Sequence, residues 1–230
     1  LAQESGIRTL FFKPVGNLKN FAPTHSAHQE HLSKEQLAKW KKLYAQGRKA
    51  EKQKDFSRAL KFYTKAYLID PTYAHLCFRM GKIYFAQGDL ETAKRLFQEA
   101  RDYDTVIVRA TSDMLAMFDE LKEERNLEFI ETKKILEPEA PGGILGEPII
   151  EDNVHFSLKG HALVGRAMAE EIANRNWIAP RQEWQFQRER PYEEILGELG
   201  VDQGLLFSVF IKTASYFGSR YDNRIRYAQK

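Results

Sequence analysis

The fold of this chain is decided by GRKAEKQKDFSRALKFYTKAYLIDP, residues 47–71, and by its counterpart GKIYFAQGDLETAKRLFQEARDYDT, residues 81–105. Five positions of the first segment return in the second, each shifted by 34 residues. They are Gly47, Ala59, Tyr63, Ala66 and Asp70, which recur as Gly81, Ala93, Phe97, Ala100 and Asp104. Small residues let two helices approach closely, and aromatic residues fill the space between them. Because one antiparallel pair of helices buries too little apolar surface to be stable alone, the pattern predicts two stacked helical hairpins.

These hairpins resemble the tetratricopeptide repeat, which has the same period of about 34 residues. Pro71 closes the first unit as the family pattern requires. Thr105 stands where the second proline would be, and Ala50 stands where the first unit usually carries an aromatic residue. Two unrelated amphipathic hairpins are the alternative interpretation.

In the register of this family, one face of the repeats forms a groove lined by basic and aromatic side chains. The predicted lining is Lys41, Tyr44, Arg48 and Lys52 from the first unit and His75, Phe78, Lys82 and Phe85 from the second. Such a surface suits an acidic peptide or a free carboxylate end. The resemblance therefore implies a protein partner in the groove, and a solvated helix face is the alternative.

Two flanking helices are predicted to cap the short array. Ser33-Lys-Glu-Gln36 has the pattern of a capping box that opens a helix running through Leu37 and Trp40. Downstream, apolar residues fall on one helical face as far as Glu124, and we expect this face to pack on the second repeat. Those residues are Ile107, Ala110, Met114, Met117 or Phe118, and Leu121.

A second pattern, Asp152-Asn-Val-His155, places a carboxylate three residues before an imidazole. A carboxylate partner holds a histidine in one tautomer and stabilises the imidazolium that forms during acyl transfer. We predict a tight turn that leads into a helix near Ser157, with Asp152 in contact with Nδ1 of His155 and Nε2 free. The alternative is a surface loop in which the aspartate caps a helix and the histidine is solvated.

The longer string GGILGEPIIEDNVHFSLKGH, residues 142–161, resembles the last sequence block of the SGNH, or GDSL-type, hydrolases. The resemblance implies a serine esterase or acylhydrolase that acts on an ester-bearing small molecule or an acylated glycan, with Asp152 and His155 as catalytic residues. The Gly-Asp-Ser block and the two oxyanion blocks of that family do not occur in the sequence, and neither Ser5 nor Ser219 has a suitable context. We therefore expect the nucleophile outside this chain. A non-catalytic interaction module beside a decayed hydrolase remnant is the rival interpretation.

The predicted architecture is an α/β remnant of a three-layer α-β-α hydrolase domain, interrupted by helical hairpins and mostly helical overall. Residues 1–24 would supply a strand and loop, 33–125 the repeat insertion, 126–176 the segment with the Asp-His block, and 177–230 a helical tail. The resemblance implies that Arg8–Lys13 pairs in parallel with Leu127–Glu131. Because Leu1–Gly6 has the pattern of a helix end, we expect the chain to be a C-terminal fragment.

Two further candidates are weaker. Asn17 follows the first strand and is predicted to line an acyl pocket, with an Asx turn as the alternative. His25, His28 and His31 are spaced by three residues, but no carboxylate or cysteine completes a ligand set, so no metal and no cofactor is predicted.

Composition excludes several classes of function. The net charge of +3 is small and dispersed, which gives no argument for nucleic-acid binding. No segment has the length and apolarity of a membrane span, and the cellular compartment is not predicted. Cys77 lies among Leu76, Phe78 and Met80, which predicts a buried thiol. The tail contains an apolar run, 205–217, for which no chemistry is predicted.

Overall fold

The computed structural model describes residues 4–201, so the apolar run 205–217 and Ser219 lie outside the described residues. Contacts divide the chain into two units, Leu1–Glu171 and Ile172–Lys230. The described part is mostly helical, with paired helical hairpins and a small parallel sheet. A three-layer α-β-α sandwich, as the hydrolase resemblance implies, is not seen within residues 4–201.

The repeats consist of four helices: α1 (Lys34–Lys52), α2 (Phe56–Tyr67), α3 (Ala74–Ala86) and α4 (Leu90–Asp102). Helix α1 begins with the predicted capping box. The Ser33 hydroxyl accepts a hydrogen bond from the Gln36 amide at 3.2 Å, and the Gln36 side chain accepts one from the Ser33 amide at 2.8 Å. Each bond satisfies a backbone donor that has no partner inside the helix.

The second helix of each hairpin begins at an aspartate that was not among the predicted repeat positions. Asp55 Oδ1 accepts from the Arg58 amide at 3.0 Å, and Asp89 Oδ1 accepts from the Thr92 amide at 3.1 Å. The two aspartates are themselves 34 positions apart. The repeat therefore extends to the N-caps that start α2 and α4.

The recurring small and aromatic residues form the core of the repeats, as predicted. Tyr63 and Phe97 are buried side chains that lie against Gly47 and Gly81 of the preceding helix in each hairpin. A Cβ at either glycine would crowd the aromatic ring, so the glycines set how closely the paired helices approach. Cys77 is fully buried, and burial raises the pKa of its thiol to about 12.

The sheet is formed by β1 (Phe11–Phe12) and β2 (Phe129–Ile130), which pair in parallel. The amide of Phe11 donates to the Glu128 carbonyl at 2.9 Å, and that of Lys13 donates to the Ile130 carbonyl at 3.1 Å. The predicted parallel pairing of these two segments is confirmed, although both strands are shorter than predicted.

Helix α5 (Ser112–Arg125) forms, but the prediction that its apolar face packs on the second repeat is wrong. Phe118 instead contacts Phe129 of β2, with ring centroids 5.9 Å apart. Met114, Met117 and Leu121 stay exposed by 42%, 58% and 40%. One part of the apolar face therefore covers the sheet, and the other part is exposed to solvent.

A second apolar core supports the segment around the Asp-His block. Helix α6 (Thr132–Leu136) and two short 3-10 turns, Glu137–Glu139 and Pro141–Gly143, lead into this segment. The cluster consists of Leu136, Ala140, Leu145, Ile149 and Ile150, against which Val15, Phe156, Leu163 and Val164 pack. The first residues of α7 (Leu158–Asn174) thereby rest on the loop that carries the Asp-His block.

The described part of the second unit contains the end of α7, two 3-10 turns, Arg181–Glu183 and Phe186–Arg188, and α8 (Tyr192–Glu198). Trp184 stacks on Phe186 with ring centroids 5.6 Å apart. Across residues 4–201, no helix combines the length and the apolarity that crossing a membrane requires.

Candidate functional site

In the tight turn from Asp152 to His155, one carboxylate is bonded to both the backbone and the imidazole ring. The amides of Val154 and His155 donate to Asp152 Oδ1 at 2.9 and 2.8 Å. Asp152 Oδ2 lies 2.7 Å from Nδ1 of His155. The carboxylate therefore fixes the backbone and the ring together, and the predicted contact between Asp152 and Nδ1 is confirmed.

The second ring nitrogen of His155, Nε2, faces solvent. Its side chain is 76% exposed, whereas that of Asp152 is 24% exposed. Among the described residues no group is hydrogen-bonded to Nε2. Because Nδ1 faces a carboxylate, we assign the proton of the neutral ring to Nδ1, which leaves Nε2 as an acceptor. The pair thus has the arrangement that a general base requires.

Hydrogen bonding lowers the pKa of Asp152. Partial burial alone would raise the pKa of this carboxyl group, but the amides of His155 and Val154 and the His155 ring together outweigh burial. Asp152 is consequently ionised at neutral pH and serves as both acceptor and charge partner of the imidazole.

Backbone contacts join the turn to α7. The Glu151 amide donates to the His155 carbonyl at 2.9 Å, and the Ser157 amide donates to the Ile149 carbonyl at 2.9 Å. The Ser157 hydroxyl accepts from the Gly160 amide at 3.0 Å, so the serine caps the helix that follows. The turn therefore enters the helix where the sequence predicts.

Asn17 is bonded within the protein. Its side chain is buried, with Nδ2 donating to the Ile150 carbonyl at 3.3 Å and Oδ1 accepting from the Asn20 amide at 2.8 Å. The second of these bonds forms a local turn, and the first ties the loop after β1 to the segment before Asp152. Both polar atoms of the side chain are therefore bonded within the protein, which agrees with the Asx-turn alternative, and a role at an acyl pocket stays a prediction.

An apolar groove of about 520 Å³ lies next to the turn. Val154 contributes from the turn and Pro14 from the loop after β1, and α5 contributes Met114, Met117, Phe118 and Leu121. This volume is within the range of small-molecule sites, about 300–1,000 Å³. The sequence pattern identified the apolar residues of α5 but assigned them to the interior.

Some of the predicted groove residues are exposed cations, whereas others are partly or fully buried. Lys41, Arg48 and Lys82 are exposed, and none of them has an ion pair or hydrogen bond within residues 4–201. Tyr44 is half-buried, and its hydroxyl accepts from Nε of Arg79 at 3.2 Å. Since Tyr44 belongs to α1 and Arg79 to α3, this contact places the two helix faces side by side.

His75 and Phe78 do not offer free side chains to a groove. Phe78 is 9% exposed and packs against Phe97, with ring centroids 5.5 Å apart. His75 is half-buried, and its Nδ1 lies 2.6 Å from the hydroxyl of Ser26. Burial, together with the positive charge of Arg79, lowers the pKa of His75. Neither side chain is therefore available as predicted.

Ser26 belongs to residues 24–29, here called the strap, which lies along the loop ends of both repeats. The repeated aspartates hold it. Asp104 accepts from the amides of Thr24 and His25 at 2.7 and 3.0 Å, and Asp70 Oδ2 lies 2.6 Å from Nδ1 of His28. Both aspartates are buried. The strap contacts were not predicted, and the only sequence signal for them is the recurrence of an aspartate after each hairpin.

Of the three histidines spaced by three residues, His28 has a structural role. Its ring lies between aromatic rings, 4.5 Å from Trp40 and 4.7 Å from Tyr73 between centroids, while Nδ1 faces Asp70. The described residues contain no group of three or more histidine, cysteine or acidic side chains that could hold a metal ion.

Comparison with known proteins identifies one part of the chain. Residues 50–106 match the sequence model of the tetratricopeptide repeat, so the chain contains such a repeat in the span from the end of α1 to the linker after α4. No match was found among curated proteins or among solved structures. The comparisons give no support to a relationship with SGNH hydrolases, which stays a prediction from residues 142–161.

Proposed function

We propose that the repeats form a protein-binding surface whose ligand is an acidic peptide or a carboxylate end. The observation that carries this function is the set of exposed cations Lys41, Arg48 and Lys82, which lack acidic partners within residues 4–201. Lys41 and Arg48 belong to α1, as does Tyr44, and Lys82 belongs to α3, which Arg79 joins to Tyr44. The tetratricopeptide match supports a role in protein interaction.

The expected electrostatic contribution is modest for each cation. An exposed ion pair contributes about 0.2–1 kcal/mol, so the three together contribute roughly 1–3 kcal/mol. Since about 1.4 kcal/mol corresponds to a tenfold change in affinity, reversing all three charges should weaken binding by roughly 5- to 150-fold. Added salt should weaken binding in the same direction.

Fluorescence anisotropy with a fluorescein-labelled hexaglutamate peptide tests this function, with hexalysine as the negative probe. We expect hexaglutamate to bind and the variant Lys41→Glu/Arg48→Glu/Lys82→Glu to lose most of the affinity. The matched control is Lys49→Glu/Lys61→Glu/Lys65→Glu, which likewise reverses three positive charges, at exposed lysines outside the proposed set. Equal affinity of the two variants, or no binding of hexaglutamate, would contradict the proposal.

A second candidate function is ester hydrolysis, in which His155 acts first as the base and then as the acid, and Asp152 is its charge partner. The 2.7 Å contact between Asp152 Oδ2 and His155 Nδ1 supports it, because it leaves Nε2 able to take a proton from a nucleophile and return it to the leaving group. The substrate would be an ester-bearing small molecule or an acylated glycan. In residues 4–201 no serine hydroxyl is hydrogen-bonded to His155, so the nucleophile would come from elsewhere.

Hydrolysis of p-nitrophenyl acetate by the purified chain tests the acid–base pair. We expect a slow reaction that a serine-directed phosphonate does not inhibit, since a base without its nucleophile activates only water. His155→Ala should lower this rate more than His31→Ala, which removes another exposed imidazole. Asp152→Asn should have an intermediate effect, because the base remains while its charge partner is lost. Equal rates for His155→Ala and His31→Ala would refute the role of the pair.

A further inference from the structure

Asn153, in the middle of the turn, is bonded to two separate segments of the chain. Its Nδ2 donates to the Val108 carbonyl at 2.8 Å, and its own carbonyl accepts from the Asn17 amide at 2.9 Å. Val108 belongs to the linker between α4 and α5, residues 103–111, and Asn17 to the loop after β1. The turn is therefore held from two sides by elements distant in sequence.

The linker is in turn positioned by the end of the second repeat. Asp104, which is 4% exposed, accepts from the Val106 amide at 3.1 Å. Arg109, also 4% exposed, donates through Nη1 to the carbonyls of Asn17 and Phe21 at 2.6 and 2.9 Å. Buried polar contacts thus lie on both sides of Val108, so the carbonyl that receives Asn153 has a fixed position.

We propose that Asn153 is a positioning residue, which ties the orientation of the His155 imidazole to the end of the repeat array. The inference rests on the acid–base role proposed above for Asp152 and His155. Within residues 4–201 no hydrogen bond joins the Asn153 side chain to the imidazole, so Asn153 acts through the backbone that connects Asp152 to His155. Without its Nδ2 bond, the turn loses its contact with the linker and keeps the backbone bond from the Asn17 amide and the bonds within itself. The carbonyl of Val108 then also loses its partner.

Nitrogen-15 NMR of the His155 ring tests this role. The two ring nitrogens give well-separated signals when one tautomer dominates, and the signals move together when both tautomers are populated. At a pH where the ring is neutral, we expect separated signals in the wild type and a clear loss of separation in Asn153→Ala. Asn153→Ser, which keeps a small polar side chain, is the second variant, and thermal unfolding checks that each variant is folded.

Asn20→Ala is the matched control. Asn20 Oδ1 accepts from the Glu147 amide at 3.0 Å, so this variant also loses one side-chain hydrogen bond in the same loop region but none to the turn. Loss of separation in the Asn153 variants with wild-type signals in Asn20→Ala supports the positioning role. Unchanged signals in the Asn153 variants, or equal loss in Asn20→Ala, overturn it. The readout needs no turnover, so a negative ester assay refutes the hydrolase function without altering this result.

Discussion

At the residue scale, Gly47 and Gly81 occupy equivalent positions but differ in how closely an aromatic ring covers them. A Cβ at Gly47 would overlap the ring of Tyr63, whereas a Cβ at Gly81 would lie 3.0 Å from Cδ1 of Phe97. We expect Gly47→Ala to lower the free energy of unfolding, because overpacking costs about 1–3 kcal/mol. The higher helix propensity of alanine, about 1 kcal/mol, offsets only part of this loss.

Gly81→Ala is expected to be close to neutral, since a shift of a few tenths of an ångström in Phe97 relieves the contact. Gly165→Ala in α7 is the matched control, because a Cβ there meets no described atom within 4 Å apart from its neighbouring residues and the nearby backbone of its own helix. It should stabilise the protein by up to about 1 kcal/mol. Urea unfolding of the three variants checks the order. A Gly47→Ala protein at least as stable as wild type would show that Tyr63 can move aside.

Local spacing explains which residue-scale features were predictable. Asp152 and His155 are three residues apart on one turn, so their contact follows from the sequence alone. The environments of His75 and Asn17 do not, since the hydroxyl that faces His75 is 49 residues away and the carbonyl that Asn17 reaches is 133 residues away. Such partners depend on how distant segments come together, and no periodicity in the sequence specifies that.

At the element scale, α5 shows how an apolar stripe can be recognised correctly and assigned to the wrong neighbour. The spacing of its apolar residues predicts a helix with one apolar face, and that helix is present from Ser112 to Arg125. Periodicity states that a face is apolar but not what covers it. Here Phe118 contacts Phe129 of the sheet, and Met114, Met117 and Leu121 line the groove beside Val154.

Strand β1 leads to a prediction about its outer edge. The amides of Phe11 and Lys13 donate toward β2. Because amides alternate in direction along a strand, that of Phe12 points to the other edge, where the described residues provide no acceptor. We expect the Phe12 amide to exchange with solvent roughly tenfold faster than its two neighbours, a difference of about 1.4 kcal/mol in opening free energy.

Hydrogen–deuterium exchange followed by NMR measures the three amides in one experiment, with Phe11 and Lys13 as internal controls. Equal protection of Phe12 would mean that another strand pairs with this edge in solution. An unpaired strand edge is also a template for association with other chains. The measurement should therefore be repeated at several protein concentrations, and the exchange of Phe12 should be independent of concentration in the most dilute samples.

At the scale of the whole molecule, the repeats share their core with residues far from them in sequence. The apolar cluster around Trp40, Tyr63 and Phe97 also contains Leu18 and Ile144, both buried. The 34-residue period predicts the stacked hairpins but cannot identify these two residues, because neither belongs to the repeat. The array is too short to bury its own apolar surface, and residues outside the repeat complete the core.

This shared core predicts that Ile144→Ala destabilises the repeats themselves. Truncating a buried isoleucine costs about 2–5 kcal/mol, through lost burial and the cavity left behind. Trp40 is 2% exposed within α1 and reports on repeat unfolding by fluorescence when Trp177 and Trp184 are replaced by phenylalanine. We expect its urea midpoint to fall in Ile144→Ala and to stay nearly unchanged in Ile107→Ala, which makes the same truncation at a site that is 62% exposed. A Trp40 transition that does not respond to Ile144→Ala would show that the hairpins fold without the segment that carries the Asp152–His155 turn, and that the two candidate functions belong to structurally independent parts.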